Sequence, residues 1–447
     1  MTSRSDRTPH PRRDSRRAIT VWWRSWEWPA IGALTVVGVA LGYVGFLEYF
    51  KDAPAWHRHP WEMLYRTIQL LPLQFGWFDK PLHWTLQVAR LLLPALAVYA
   101  AVKGLAALYF DQLQVLRVRL FARGHTIICG LGQKGLLLAR RLRALGMRVV
   151  VIEQDEENDL IRVAREAGCI VLVGDATEPY MLRRAGVRRA HCLVAVSRDD
   201  GLNAEVSTRA LELAGDSNRE LQCTCHVFSS QLRQLLDRHQ PETDPWRMEH
   251  IRFFNVYEDG ARLVLDLDPP FGPDLSVGPH ILILGIGRMG EALLVRLAEI
   301  WQMRRNTANA KLRITLGDRI APEKKGFLLS AYPNLADVWE LDPVRVEVKS
   351  PEFRAGSLLY DGERFRSLTR AYVCFDDESL GLAAALTIED RLRARGRHVP
   401  VVLRTRAYGG LAVLLPRVDE TGCPPDCLRV FGLYEHTCTP EAIIARR

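Results

Sequence analysis

Two long apolar runs stand out against an otherwise mixed pattern. Residues 29–50 open as "PAIGALTVVGVALGYVGFL" without a charge, and residues 91–110, "LLLPALAVYAAVKGLAALYF", are interrupted by Lys103 alone. Each approaches the roughly 20 residues that a helix needs to cross a bilayer, so membrane helices are expected over 29–50 and 88–110. Between them Pro60 can start a helix and Pro72 must stop one, with Leu64, Ile68 and Leu71 at helical spacing. A short amphipathic helix, then an extended stretch, is expected over 60–79, either re-entrant or lying at the interface.

After residue 123 the periodicity changes. "HTIICGLGQKG" runs an apolar strand into Gly130, Gly132, Gln133 and Gly135; "LLLARRLRALG" then has helical spacing, and "MRVVVIEQD" is a β-branched strand ending near Glu153. A G-x-G-x-x-G alone says little, but strand, glycines, helix, strand and terminal acid in this order specify a nucleotide-binding βαβ unit. The glycines let the backbone approach a pyrophosphate at a helix N-terminus. Glu153 would accept from a ribose diol and repel a 2′-phosphate, which favours NAD(H) or an adenine nucleotide. "GCIVLVGDAT", with Asp175 and Thr177, then "HCLVAVSRDDGLNAEVSTRALEL" and "LQCTCHVFSSQLRQLL" continue the alternation of a doubly wound parallel sheet.

The pattern then repeats. "HILILGIGRMGEALLVRLAEIW" carries Gly285, Gly287 and Gly290, "KLRITLGDRIAP" ends a strand at Asp318, and "RAYVCFDDESLGLAAALTIEDRL" and "VPVVLRTRAYGG" follow. Gly285, Gly287, Gly290 and Asp318 are candidates for a second cofactor-binding loop or a structural copy of the first, and Asp318 lies farther from its glycines than Glu153 does. Residues 333–362 read as an insertion, and "LRVFGLYEHTCTPEAIIARR" has no evident counterpart. The fold class expected is therefore an α-helical membrane hairpin plus α/β, with two tandem Rossmann-like doubly wound parallel sheets.

Charge refines the membrane end. The net charge is +8, and Arg4, Arg7, Arg12, Arg13, Arg16, Arg17 and Arg24 crowd ahead of the first apolar run. That placement orients a membrane helix with its N-terminus inside and does not call for nucleic acid. Arg117, Arg119 and Arg123 follow the second run, as a second inside end requires. Nine scattered cysteines fit reduced thiols. Cys423, Cys427, His436 and Cys438 cluster, but their spacing matches no familiar zinc pattern, so no metal is expected. His191 and His226 at strand edges read as packing residues. No His/Lys or Tyr/Lys constellation and no separate substrate domain accompany the sheets, so an enzyme is not expected.

The order G-L-G-Q-K-G, V-V-V-I-E-Q-D, V-G-D-A-T and S-R-D-D-G-L-N resembles the N-terminal domain of RCK/TrkA proteins, regulators of potassium conductance. The resemblance implies a Rossmann-type domain that binds a nucleotide, pairs with a neighbour and controls an attached pore, with ligand contacts at Gly130, Gly132, Gly135, Glu153, Asp175 and Thr177. Tandem domains of this kind on a two-helix module imply an ion channel or ion-transport protein of the potassium type. It would form a homo-tetramer or other homo-oligomer in a prokaryotic plasma membrane, contacting lipid, an inorganic ion and a nucleotide, with its N-terminus and RCK domains in the cytosol.

Against the filter pattern T-V-G-Y-G-D, Gln74, Phe75, Gly76, Trp77, Phe78 and Asp79 keep one glycine, an aromatic and the acid. The threonine is missing and Phe78 replaces the second glycine, which matters because carbonyl-lined filters rely on glycine backbone geometry. Gln74, Phe75, Gly76, Trp77 and Lys103 are the candidate pore residues. The alternative is a membrane-anchored nucleotide or redox sensor that acts on a partner and has no pore. The layout expected is a basic tail over 1–28, a membrane module over 29–110, a linker over 111–123, Rossmann folds over 124–265 and 279–418, and a tail over 419–447.

Overall fold

The computed structural model describes residues 14–52, 54, 59–72, 81–108, 116, 118, 123–215, 220–229, 232–233, 250–271, 279–304, 311–356, 366–420 and 428–443. They belong to two compact units, Met1–Leu113 and Gln114–Arg447.

The first unit holds α1 (Asp14–Tyr49), α2 (Pro60–Gln69) and α3 (Trp84–Leu108). The segments Trp28–Tyr49 and Trp84–Leu105, with mean hydropathy 2.1 and 1.6, are long and apolar enough to cross a membrane. α1 begins well before residue 29, because no glycine interrupts the basic segment, and Pro29 is carried inside the helix. Small residues bring α1 and α3 together: a Cβ on Gly45 would stand 2.7 Å from the Leu86 Cβ, and one on Gly38 2.8 Å from a Leu93 methyl. α2 buries Met63, Thr67 and Leu70, not the face of Leu64, Ile68 and Leu71 that the spacing suggested; Ile68 is exposed. A threonine can serve on the buried face because its hydroxyl donates to the Met63 carbonyl at 2.8 Å, while its methyl packs toward Gly42.

The second unit contains two six-stranded parallel sheets. The first comprises β1 (His125–Cys129), β2 (Val149–Glu153), β3 (Ile170–Val173), β4 (Ala190–Ala195), β5 (Gln222–His226) and β6 (Ile251–Phe254), in the order β3-β2-β1-β4-β5-β6. Helices α4 (Gln133–Ala144), α5 (Leu160–Glu166), α6 (Pro179–Arg184), α7 (Asp200–Ala214) and α8 (Val256–Leu267) connect and follow the strands. The central strands are largely apolar and buried, as parallel strands covered on both faces must be, with His125, Thr126, Thr224 and His226 as buried polar exceptions. β1 is buried at all five positions.

The second sheet repeats this with β7 (His280–Leu284), β8 (Leu312–Asp318), β9 (Trp339–Arg345), β10 (Leu368–Val373), β11 (Val401–Thr405) and β12 (Leu428–Gly432), ordered β12-β11-β10-β7-β8-β9. Its helices are α9 (Arg288–Arg304), α10 (Ala321–Ala331), α11 (Pro351–Ala355), α12 (Glu378–Arg393), α13 (Leu433–Thr437) and α14 (Pro440–Ile443).

Two sequence expectations change here. The stretch read as an insertion contains β9, the edge strand equivalent to β3, paired with β8 from Leu312↔Trp339 to Asp318↔Arg345. The stretch read as a C-terminal tail contains β12, which pairs with β11 as β6 pairs with β5. Arg252, Phe254, Tyr257 and Glu258 correspond to Arg429, Phe431, Tyr434 and Glu435. The match escaped notice because each conserved-spacing segment is short and follows a different connection.

The folds exchange their last helices. α8 of the first packs against α9 of the second, and α13 and α14 of the second pack against α4 of the first. Arg141 on α4 donates from Nη1 to the Glu435 carbonyl at 2.7 Å and the Cys438 carbonyl at 3.1 Å. Those carbonyls lie at the end of α13, where an intrahelical donor is lacking. The Thr224 hydroxyl on β5 donates to the Ile443 carbonyl at 2.8 Å. Asp268, just beyond α8, is buried between Arg370 on β10 and Arg429 on β12, with Arg429 Nη2 at 2.7 Å from Oδ1.

Candidate functional site

In a sheet ordered 3-2-1-4-5-6, the strand order reverses between β1 and β4, and a crevice opens beyond their C-terminal ends. The loop from Gly130 to Gly135 sits there. Gly130 has φ +98°, a region that favours glycine, and its Cβ would come within 3.1 Å of the Ser197 backbone nitrogen. Gly135 lies so close to Gly130 that a Cβ would stand 2.2 Å from the Gly130 carbonyl oxygen. Above Gly132, by contrast, no described atom lies within 4 Å of a built Cβ. Gly132 is also the N-cap of α4 and brings no side chain to cap it. The first-turn N–H groups of α4, with Gln133 as its first residue, therefore remain open to an anion.

Glu153 braces this loop. The Leu131 N–H donates to its Oε2 at 2.6 Å and the Asp155 N–H to its Oε1 at 3.0 Å. A carboxylate has about four acceptor sites, so capacity for a ribose diol remains. Asn158, which sequence reasoning passed over, donates from Nδ2 to the Leu131 carbonyl at 3.1 Å and accepts the Leu160 N–H. Asp175 closes its own turn, accepting both the N–H and the hydroxyl of Thr177 at 2.8 Å. Arg209 on α7 holds the Thr177 carbonyl at 2.8 Å. Asn203 accepts the Ser197 N–H at 2.8 Å and donates to the His226 carbonyl at 3.0 Å, which keeps the strand-four loop against Gly130. Its signal was available in "SRDDGLN", where an asparagine follows the helix cap Asp199.

The second loop is built alike. Gly285 has φ +84°, and a Cβ on Gly290 would stand 2.4 Å from the Gly285 carbonyl oxygen. Asp318 accepts the Ile286 N–H at 2.8 Å and the Ile320 N–H at 3.3 Å. It thus fills the place of Glu153 despite its greater distance in sequence.

Between the folds lies a group of cations and aromatic rings. Lys134 is buried, its ammonium has no hydrogen-bond partner among the described residues, and it sits 4.3 Å from the centroid of the Phe228 ring. The Arg288 guanidinium lies 4.4 Å from the same centroid. Burial lowers the Lys134 pKa to about 8, opposed by Cys438 and deepened by Arg288. Burial likewise holds the His226 imidazole well below its ordinary range, with Lys134 and Arg288 adding to the effect. His226 packs edge-on to Phe228 and Phe254. Burial pushes the Cys438 thiol up to about 11. The seven described cysteines are free and buried.

Of the remaining sequence candidates, Gln74, Phe75, Gly76 and Trp77 lie outside the described residues, as do Cys423 and Cys427. Lys103 is exposed on α3, 5.6 Å from the Tyr99 ring centroid. His436 stacks on Phe431 and shares a hydrogen bond with the Tyr408 hydroxyl at 3.0 Å.

Residues 126–236 match the TrkA-N domain. Over 89 residues the chain is 30% identical to "Potassium channel protein 1" of Methanocaldococcus jannaschii, a match covering 20% of this chain and 27% of that protein. It is 28% identical over 96 residues to "Voltage-gated potassium channel Kch" of Escherichia coli, covering 21% of this chain and 23% of Kch. The chain thus spans about a quarter of the length of these relatives. A structure described as GsuK bound to ADP aligns over 93% of this chain and 95% of its own, at 15% identity and a TM-score of 0.47.

Proposed function

We propose that this chain, whose first α/β fold carries a TrkA-N domain, is the subunit of an oligomeric ion channel or ion-transport protein of the potassium type, gated by a nucleotide. The observation that carries this reading is the first glycine loop: braced through Glu153, open above Gly132, and facing an uncapped helix start. The ligand is NAD(H) or an adenine nucleotide. Its pyrophosphate would meet the first-turn N–H groups of α4 and Gln133, its ribose diol would face Glu153, and Asp175 and Thr177 would border it. The potassium-channel relatives support the ion class. The protein would lie in a prokaryotic plasma membrane as a multi-pass protein, with the N-terminus and both Rossmann folds in the cytosol, a reading that the two apolar helices support.

Coupling follows from the segment that joins α3 to β1. Val118 on that segment is fully buried with Ala185 and Val187 of the first fold, and its carbonyl faces the Arg189 guanidinium at 3.4 Å. A shift of this fold would therefore be carried toward α3. Two crossings per chain cannot enclose a pore, so copies assemble as a closed ring, of which a tetramer is the simplest fit. Ligand shifts the gate only by its difference in affinity between open and closed arrangements.

One observation favours a second reading. Lys103 is exposed on a helix whose second half is otherwise apolar, which suits a membrane-anchored sensor that regulates a partner without a pore of its own. Flux from liposomes under potassium, sodium and chloride gradients, with NAD, NADH, ATP, ADP and AMP titrated, separates them. Nucleotide-dependent flux establishes the channel, and the gradient identifies the ion. Nucleotide binding without flux under any gradient leaves the anchored sensor.

A further inference from the structure

The two glycine loops differ in the side chain set against their mouths. Cys129 at the end of β1 pairs with Ala195, and Leu284 at the end of β7 pairs with Val373, so Ala195 and Val373 are equivalent. Two residues on, the Ser197 nitrogen approaches Gly130 as the Phe375 nitrogen approaches Gly285. Two further, Asp199 and Asp377 each cap the next helix from the same place. The position between is therefore equivalent as well: Arg198 in the first fold, Asp376 in the second.

Charge is inverted at that position. Arg198 is exposed, and its field reaches Lys134 within the first loop, while the space above Gly132 is clear of described atoms. In the second fold, Asp376 Oδ2 stands 3.5 Å from where a Cβ on Gly287 would be. Gly287 is the residue whose bare backbone would have to meet a pyrophosphate. The acid is held there: Arg404, 3% exposed, reaches Oδ1 at 3.2 Å, and Arg406 donates to the Asp376 carbonyl at 3.4 Å. The loop's own cation, Arg288, does not offset it, because its guanidinium is turned onto the Phe228 and Tyr257 rings of the first fold. A carboxylate this close, although exposed and paired with Arg404, is of like charge to a diphosphate and disfavours one at the helix start.

We infer that Asp376 is a specificity-determining residue that keeps phosphate-bearing ligands out of the second loop, so that each chain takes one nucleotide, in its first fold. The inference rests on the first loop's being the nucleotide site. The backbone of the second loop remains competent, since Asp318 braces it as Glu153 braces the first. What is missing there is electrostatic and can be restored by one substitution.

The test is titration calorimetry of the full chain in detergent, with ADP and NAD as probes. Wild type is expected to bind one equivalent per chain, and Gly132→Asp to bind none. Asp376→Ser and Asp376→Arg, both at an exposed side chain, are expected to add a second equivalent. The double variant Gly132→Asp/Asp376→Ser should keep one, now in the second fold. Two equivalents in wild type, one remaining in Gly132→Asp, or no gain in either Asp376 variant would overturn the inference. No binding of either probe by any of these proteins would instead sink the nucleotide-gating proposal beneath it.

Discussion

Gly132 and Gly135 belong to one motif, yet the structure predicts opposite consequences for the same substitution. In Gly135→Ala the new Cβ would stand 2.2 Å from the Gly130 carbonyl oxygen, about 0.8 Å inside the 3.0 Å that real Cβ atoms respect. Neither side yields easily: Gly135 lies in the first turn of α4, and Gly130 is pinned by its positive φ and by the Ser197 backbone. Overpacking against a rigid wall costs about 1–3 kcal/mol, and the upper end applies here. The gain in helix propensity from glycine to alanine offsets roughly 1 kcal/mol of that. The net is a loss of about 2 kcal/mol. For domains of a few hundred residues that lowers Tm by about 4–8 °C. Gly132→Ala meets no described atom within 4 Å, so it loses only what alanine loses to glycine as an N-cap, about 0.5 kcal/mol, and its Tm without ligand should fall by no more than about 1–2 °C. Its Cβ would, however, fill the space a pyrophosphate needs, weakening ligand binding by at least about tenfold. Scanning calorimetry of the full chain in detergent, with and without NAD, reads both effects. If Gly132→Ala melts as early as Gly135→Ala, the space above Gly132 is not open. If Gly135→Ala melts with wild type, the close approach of the loop is wrong.

Two further predictions concern charges buried between the folds. Met289 holds the second-loop position that Lys134 holds in the first, so Lys134→Met should stabilise the protein. With a folded pKa near 8 against 10.5 unfolded, the unfolded chain binds the extra proton between those values, and wild-type stability gains with pH across that window. The advantage of Lys134→Met is therefore largest below pH 8, at most about 3 kcal/mol, and fades by about pH 10.5; an advantage independent of pH in paired melts would show that burial does not depress the lysine's pKa and that it stays charged in the fold. Asp268→Ala leaves Arg370 and Arg429 buried without their shared acid and should cost about 3–5 kcal/mol, whereas a Tm within a degree of wild type would mean that water replaces the carboxylate.

What could be read from the sequence was what local backbone chemistry dictates. Gly130, Gly285 and the acids that follow them are legible because a tight turn after a strand admits few residues; both glycines have positive φ, and Glu153 and Asp318 accept loop N–H groups. The two sheets were legible from strand and helix periods. Features whose meaning depends on distant partners were not. Leu428–Gly432 reads as an isolated apolar run until β11 lies beside it. Trp339–Arg345 carries Asp342 and Pro343 and reads as an insertion until β8 pairs with it along its length. Asp268 meets Arg429 across 161 positions, a relation no window of sequence contains. The buried face of α2 is hard to read by pattern because Thr67 counts as polar, although its hydroxyl is satisfied within its own helix.

Reciprocal packing of the folds bears on how strongly a nucleotide can act. In the proposed function a ligand at the first loop would press on α4, and Arg141 on α4 holds the end of α13, which belongs to the second fold. The two folds therefore share any displacement of α4. Moving a gate from 1:99 to 99:1 takes about a 10⁴-fold preference of ligand for one state. In the proposed tetramer, with one nucleotide per chain acting on a common gate, each site needs to supply only about tenfold, near 1.4 kcal/mol. That is within reach of a few hydrogen bonds from α4 and Glu153 tightening in one state. The consequence is steepness: flux against nucleotide concentration should rise with a Hill coefficient well above one, while Arg141→Ala, which frees α13 without touching the loop, should flatten the curve and leave first-site binding nearly unchanged. A wild-type curve with a coefficient of one would mean that each chain gates alone, and the exchange of helices between folds would then serve stability without coupling.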